Sequence, residues 1–209
     1  DRVRAGATLY VSSAGGVLQP FNRPFGVEVL AREHAATDVA IGARALWGDD
    51  ACVVRAPVRF ALAARGAEVL ARDGRGNPVF TCAALGRGRA YFLSVPLETA
   101  LASRPGAFHE PGGSPAWQVY RAVAAPWVRR RVVQRDDPQV GVTEHASAPD
   151  ARVVVMLNHR PAATRVSGRL KRGWRIGPVW RGRIAAGTDS SFDAHIGAAD
   201  AAVFRVSRS

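Results

Sequence analysis

Apolar residues in this chain occur mostly in short runs divided by Gly, Pro, Asn and Asp, a strand-and-turn texture with little helical period. The most continuous run is PVFTCAALGRGRAYFLSVPLE, Pro78 to Glu98. Pro78–Leu85 and Ala90–Val95 predict neighbouring strands buried on both faces, joined by a turn in which Gly86 and Gly88 flank Arg87. Ala67–Arg72 adds a third strand before the turn formers DGRGNP, which completes a meander.

Further strands are expected over Ala7–Ser12, around Val27 and Val29, over Ala40–Trp47, and over Cys52–Ala63 with an edge or bulge at Pro57. Arg2–Ala5 reads as the last turn of a helix closing at Gly6, so this domain is expected to have lost what preceded it. Leu97–Ala102 predicts a short helix stopped by Pro105. The clearest helix signal has Ser114 as N-cap, Pro115 at the first helical position, and an apolar stripe of Trp117, Tyr120, Val123 and Ala124 ending before Pro126. After residue 128 the texture becomes purely strand-like: VGVTEH, RVVVMLNH, TRVSGRL, WRIGPVW, SFDAHI and AAVFRVS predict a small antiparallel sandwich or barrel. The organisation expected is an α/β domain over 1–128 and an all-β domain over 129–209.

At 209 residues, 47% hydrophobic and 22% charged, the chain can bury real cores, and it contains no apolar stretch long enough to span a bilayer. A soluble protein is expected. The net charge of +12 raises nucleic acid as a partner. However, Lys171 is the only lysine, and the arginines stand mostly singly apart from Arg129–Arg131. A solvated basic surface is the preferred reading, with a nucleic-acid binder as an alternative. The compartment is not legible, the cytoplasm being slightly favoured.

Candidate chemistry is sparse. Cys52 and Cys82 sit in strand patterns and read as buried free thiols, and no metal-ligand spacing or cofactor motif occurs. The GRGR turn joins two strands, whereas a phosphate-binding glycine loop must open a helix. Ser12 and Ser13 follow the first strand where a nucleophile elbow would stand, Ser13 being the candidate nucleophile, but VSSAG lacks the elbow's leading glycine. Glu98 follows a buried strand at its carboxyl end, where α/β folds bind ligands, although an acid favouring a helix dipole is the simpler reading. Phe21 and Phe25 lie in a loop that could border a cleft. Trp174 and Trp180 are the natural pair for stacking on sugar rings, with core packing as the plainer use.

AGATLYVSSAGG, with GNPVFTCAALGRGRAYFLSVPLETAL far downstream, resembles the amidotransferase-like, flavodoxin-like domain that follows the catalytic barrel in clan A glycoside hydrolases. Family 42 β-galactosidases are the best-known hosts, and some β-mannosidases and cellulase-like enzymes are similar. SPAWQVYRAVAA, VTEHASAPDARVVVMLNHRPAATRV and AADAAVFRV resemble the connection and small C-terminal β domain of the same enzymes. The resemblance implies a truncated class I amidotransferase-like α/β fold followed by a β-sandwich, and no cofactor. It also implies homo-oligomers, a trimer being the expected form, with carbohydrate bound through a parent enzyme. The barrel that carries the catalytic glutamates is missing, so no position inherits those roles. The expected function is that of a non-catalytic C-terminal portion serving assembly and shaping the substrate cleft. The alternatives are a carbohydrate-binding module using Trp174 and Trp180, a nucleic-acid binder, and a stand-alone hydrolase using Ser13 or Glu98.

Overall fold

The computed structural model describes residues 1–16, 22–34, 36–42, 51–104, 115–137, 139–187 and 190–208. The chain divides into two compact units, Asp1–Ala125 and Pro126–Ser209.

The first unit opens with strand β1 (Thr8–Ser12), a single helical turn α1 (Asn22–Phe25), and strands β2 (Val27–Glu33), β3 (Thr37–Gly42), β4 (Ala51–Ala56) and β5 (Arg59–Ala64). The meander β6 (Glu68–Arg72), β7 (Pro78–Leu85) and β8 (Gly88–Leu93) follows, then helices α2 (Leu97–Ala102) and α3 (Trp117–Val128). Six strands form one sheet in the order β1-β8-β7-β6-β3-β4, and β2 pairs with β5 in a second, two-stranded sheet.

The expected α/β flavodoxin-like class is wrong. The described residues hold three helices against sixteen strands, and β1 with β8 is the one parallel pairing among them, every other registered pair being antiparallel. A doubly wound α/β fold needs a helical crossover for each parallel step. Here the described residues between Val27 and Leu93 instead form strands without an intervening helix. The apolar, Gly-punctuated runs form the expected meander, which is antiparallel and covered on both faces.

That covering explains the unbroken hydrophobicity of β8. Tyr91 and Leu93 enter a core with Ile41, Val54, Phe80, Leu97 and Val119, to which α2 and α3 contribute. Ala90 and Phe92 point the other way, into a core with Phe25, Val27, Phe60 and Leu62 from the β2/β5 side.

The glycines of the GRGR turn serve close approach. A Cβ on Gly88 would lie 2.1 Å from the Val3 carbonyl oxygen and 2.2 Å from that of Ala7. The turn is tied to the same segment by Arg87 N donating to Arg4 O at 2.9 Å. Gly88→Ala must displace backbone and should destabilise the unit by about 1–3 kcal/mol in urea melts. Gly74→Ala, with open space at its Cα, should change little.

Helix α3 differs from expectation at its end, since it carries Pro126 inside rather than stopping before it. A proline this close to the C-terminus costs one backbone hydrogen bond, and Arg130 N to Trp127 O and Arg131 N to Val128 O close the chain beyond it in tighter turns. Ser114, the expected N-cap, lies outside the described residues.

In the second unit β9 (Val133–Arg135), β10 (Val140–Ala148), β11 (Ala151–Asn158), β12 (Thr164–Leu170), β13 (Trp174–Arg181), β14 (Arg183–Ala186), β15 (Ser191–Ile196) and β16 (Ala201–Arg208) form two antiparallel sheets. Their orders are β10-β11-β16-β13 and β14-β15-β12-β9. Alternate residues of each sheet supply one shared core. Val154, Met156, Phe204 and Val206 come from one sheet, and Val166, Phe192, Ala194 and Ile196 from the other. Phe192 meets Phe204 edge to face at 5.7 Å between ring centroids. Among the described residues no helix is long and apolar enough to cross a membrane.

Candidate functional site

Parallel pairing brings the carboxyl ends of β1 and β8 to the same edge, with Ser12 opposite Leu93. From there Ser94, Val95 and Pro96 lead into α2, whose first turn holds Glu98. Tyr10 and Ser12 are two apart on β1 and share a face, and Tyr120 arrives on α3. The two tyrosine rings meet edge to face, 6.1 Å between centroids at 75°.

These four side chains form one polar cluster. The Ser12 hydroxyl donates a hydrogen bond to Glu98 Oε2, and the Tyr120 hydroxyl donates to Oε1 at 3.1 Å. Tyr10 lies near enough for its hydroxyl and the carboxylate to shift each other's titration, although its buried hydroxyl falls short of hydrogen-bond geometry.

Burial pushes the Glu98 carboxyl up, but hydrogen bonds from Ser12, the residue's own backbone N–H and Tyr120, with the nearby Tyr10 hydroxyl, outweigh it and hold the pKa below the usual range. Burial, followed by the Glu98 charge, raises both tyrosines well above an ordinary phenol. At neutral pH the site is therefore a fixed carboxylate surrounded by neutral hydroxyl donors. A glycosidase acid needs the opposite shift, towards a protonated carboxyl, and a second carboxylate about 5–10 Å away. Neither of the two groups that hydrogen-bond Glu98 is an acid.

Ser13, the expected nucleophile position, is buried and committed to a turn. Its N–H donates to Leu93 O at 3.0 Å, and its Oγ accepts from Gly15 N at 3.2 Å. The serine that reaches Glu98 is its neighbour Ser12. Phe21 lies outside the described residues, and Phe25 is 4% exposed, packed on Phe92 at 5.3 Å between centroids. Phe25 thus belongs to a core.

The two tryptophans are not presented together. Trp174 is buried in the sandwich core, with the Arg152 guanidinium 5.5 Å from its ring, whereas Trp180 is 58% exposed. Two register shifts along β13 separate them. Cys52 and Cys82 are buried and form no disulfide, and no cluster of three or more potential metal ligands occurs among the described residues.

Sequence reasoning named Ser12 only beside Ser13 as an elbow position and Tyr120 only in an apolar stripe, and gave Tyr10 no role. The period-two spacing in TLYVS would have put Tyr10 and Ser12 on one face, but the helix partner is a tertiary contact with no local signal.

No protein-family model matches the chain, and no curated protein matches it. Solved structures share its fold. A cold-adapted β-galactosidase from Rahnella sp. R3 superposes with a TM-score of 0.61 at 13% identity, over 97% of this chain and 29% of that one. The β-galactosidase from Bacillus circulans sp. alkalophilus gives 0.57 at 16% identity, over 100% and 30%. A catalytic mutant of Gan42B, a GH42 β-galactosidase from G. stearothermophilus, gives 0.57 at 14%, over 99% and 29%. The chain thus shares its fold with part of these β-galactosidases and spans less than a third of their length.

Proposed function

We propose that this chain is a non-catalytic portion of a glycoside hydrolase of the β-galactosidase kind, shaping the substrate cleft and supporting assembly while an upstream domain cleaves the glycosidic bond. The observation that carries this reading is a likeness that takes in 97–100% of this chain but only 29–30% of the β-galactosidases. The character of Glu98 agrees with it, since a carboxylate held ionised among neutral donors suits a fixed hydrogen-bonding post better than an acid catalyst.

Assembly would be as a homo-oligomer, a trimer being the expected form, with Trp117 a surface candidate because it is 47% exposed. Phe25, being buried, would report on stability instead.

The chain alone, offered a panel of aryl β-glycosides, should show no turnover above buffer. Turnover that Glu98→Ala or Ser13→Ala abolished in a folded variant would overturn the reading in favour of a stand-alone hydrolase. Equilibrium sedimentation should find a multiple of the chain mass that Trp117→Ala reduces. A monomer at all concentrations would remove the assembly role.

A further inference from the structure

The sheet β14-β15-β12-β9 has one face in the core, carrying Val166, Phe192, Ala194 and Ile196, and one outside, carrying Arg165, Ser167, Arg169 and Asp193. A groove of about 500 Å³ is sunk into this sheet. The residues that give it its chemistry are Gln134, Asp136, Ser167, Arg169 and Asp193. The volume falls in the range of small-molecule sites, about 300–1,000 Å³.

We propose that this groove binds a neutral saccharide of about disaccharide size, through the side chains of Gln134, Asp136 and Arg169. Two features select that chemistry. In a chain of net charge +12, the outer face at the groove is locally balanced, carrying the guanidiniums of Arg165 and Arg169 and the carboxylates of Asp136 and Asp193, whereas Arg135 lies beside Gly168 in the register and donates from its Nε to Val140 O. An anionic ligand would meet both carboxylates, whereas an uncharged polyol meets donors and acceptors in equal supply. Each sugar hydroxyl both donates and accepts, so carboxylate, guanidinium and amide side by side match it.

The second feature is a division between held and open groups. Asp193 is fixed by Ser167 Oγ at 2.7 Å and Arg165 Nη2 at 2.6 Å. Gln134, Asp136 and Arg169 make no side-chain hydrogen bond among the described residues and are exposed. On the core side of the sheet beneath the groove, Gly168 makes room for the Phe192 ring, which a Cβ would strike at 2.3 Å. The groove uses neither Trp174 nor Trp180, and the proposal does not depend on the glycoside hydrolase reading.

Calorimetric titration of the 209-residue chain with lactose, cellobiose and mannobiose, and with digalacturonate as the anionic control, tests the site. Saturable binding of at least one neutral disaccharide is expected. Arg169→Ala and Asp136→Asn should each weaken it about tenfold, as for loss of a hydrogen bond to a charged group, while Trp180→Ala leaves it unchanged. Gln134→Ala is the substitute should either variant melt early. No saturable heat with any neutral disaccharide, affinity unmoved by all groove variants, tighter binding of digalacturonate, or loss with Trp180→Ala alone would each overturn the proposal.

Discussion

Replacing Asp73 with Ala should cost the first unit roughly 3–5 kcal/mol, the range for breaking a buried ion pair from one side. Asp73 Oδ2 accepts from Arg59 Nη2 at 2.6 Å and Nε at 3.0 Å, and both side chains are buried. The same carboxylate shapes the β6–β7 turn, with Oδ1 accepting from the backbone of Arg75 and Asn77, each at 2.9 Å. Removing it strands the Arg59 guanidinium. The other carboxylate in reach, Glu33, is 3.7 Å away and largely exposed.

The pH dependence follows from the same contacts. Burial pushes the Asp73 carboxyl up, but Arg59 and the N–H groups of Asn77 and Arg75 pull it down further, so its folded pKa lies below the ordinary value. A depressed carboxyl contributes stability above its unfolded pKa, about 3.9, and loses it as pH falls through the folded pKa. Urea melts of the wild type should therefore weaken below about pH 4, and the Asp73→Ala variant, already weaker at neutral pH, should lose less over that window. Equal stability of the two proteins at pH 7 would show that the pair is not what holds this turn.

Asn158→Ala should destabilise the second unit by about 2–4 kcal/mol, as expected when several buried backbone groups lose their partners together. Asn158 is 2% exposed at the end of β11. Its Nδ2 donates to Ala162 O at 2.8 Å and to Gly197 O at 2.7 Å, and its Oδ1 accepts from Arg160 N at 3.1 Å. One amide thereby ties the turn after β11 to the turn before β16. Asn158→Asp separates shape from hydrogen bonding, because a carboxylate can accept from Arg160 but cannot donate to two carbonyls. It should melt at least as early as the alanine variant. An aspartate variant as stable as the parent would refute the pinning role.

Local patterns carried a good deal of this structure into the sequence. The β6-β7-β8 meander follows from two apolar runs and two turn clusters, and the strands after residue 133 follow from alternation between turn residues. What local pattern could not supply was the pairing of distant strands. Strand patterns look alike in parallel and antiparallel sheets, so the strands and two helices expected over 1–128 were grouped into an α/β domain, whereas the described residues hold one parallel pair, β1/β8, and otherwise antiparallel ones.

The same limit applies to sites. Glu98 was legible as an acid at a strand end, but its partner Tyr120 comes from a helix twenty-two residues on. Trp174 and Trp180 looked like a pair because side-chain type is visible in sequence, whereas the bulges in β13 that separate their environments are not.

The most direct test of the central claim is to isolate the native polypeptide that contains this sequence and to measure its mass and its turnover of aryl β-galactosides beside those of the 209-residue chain. The account predicts a polypeptide well above 22.3 kDa that hydrolyses the substrate, with no turnover by the shorter chain. A native mass equal to that of the shorter chain, or turnover by that chain alone, would contradict it.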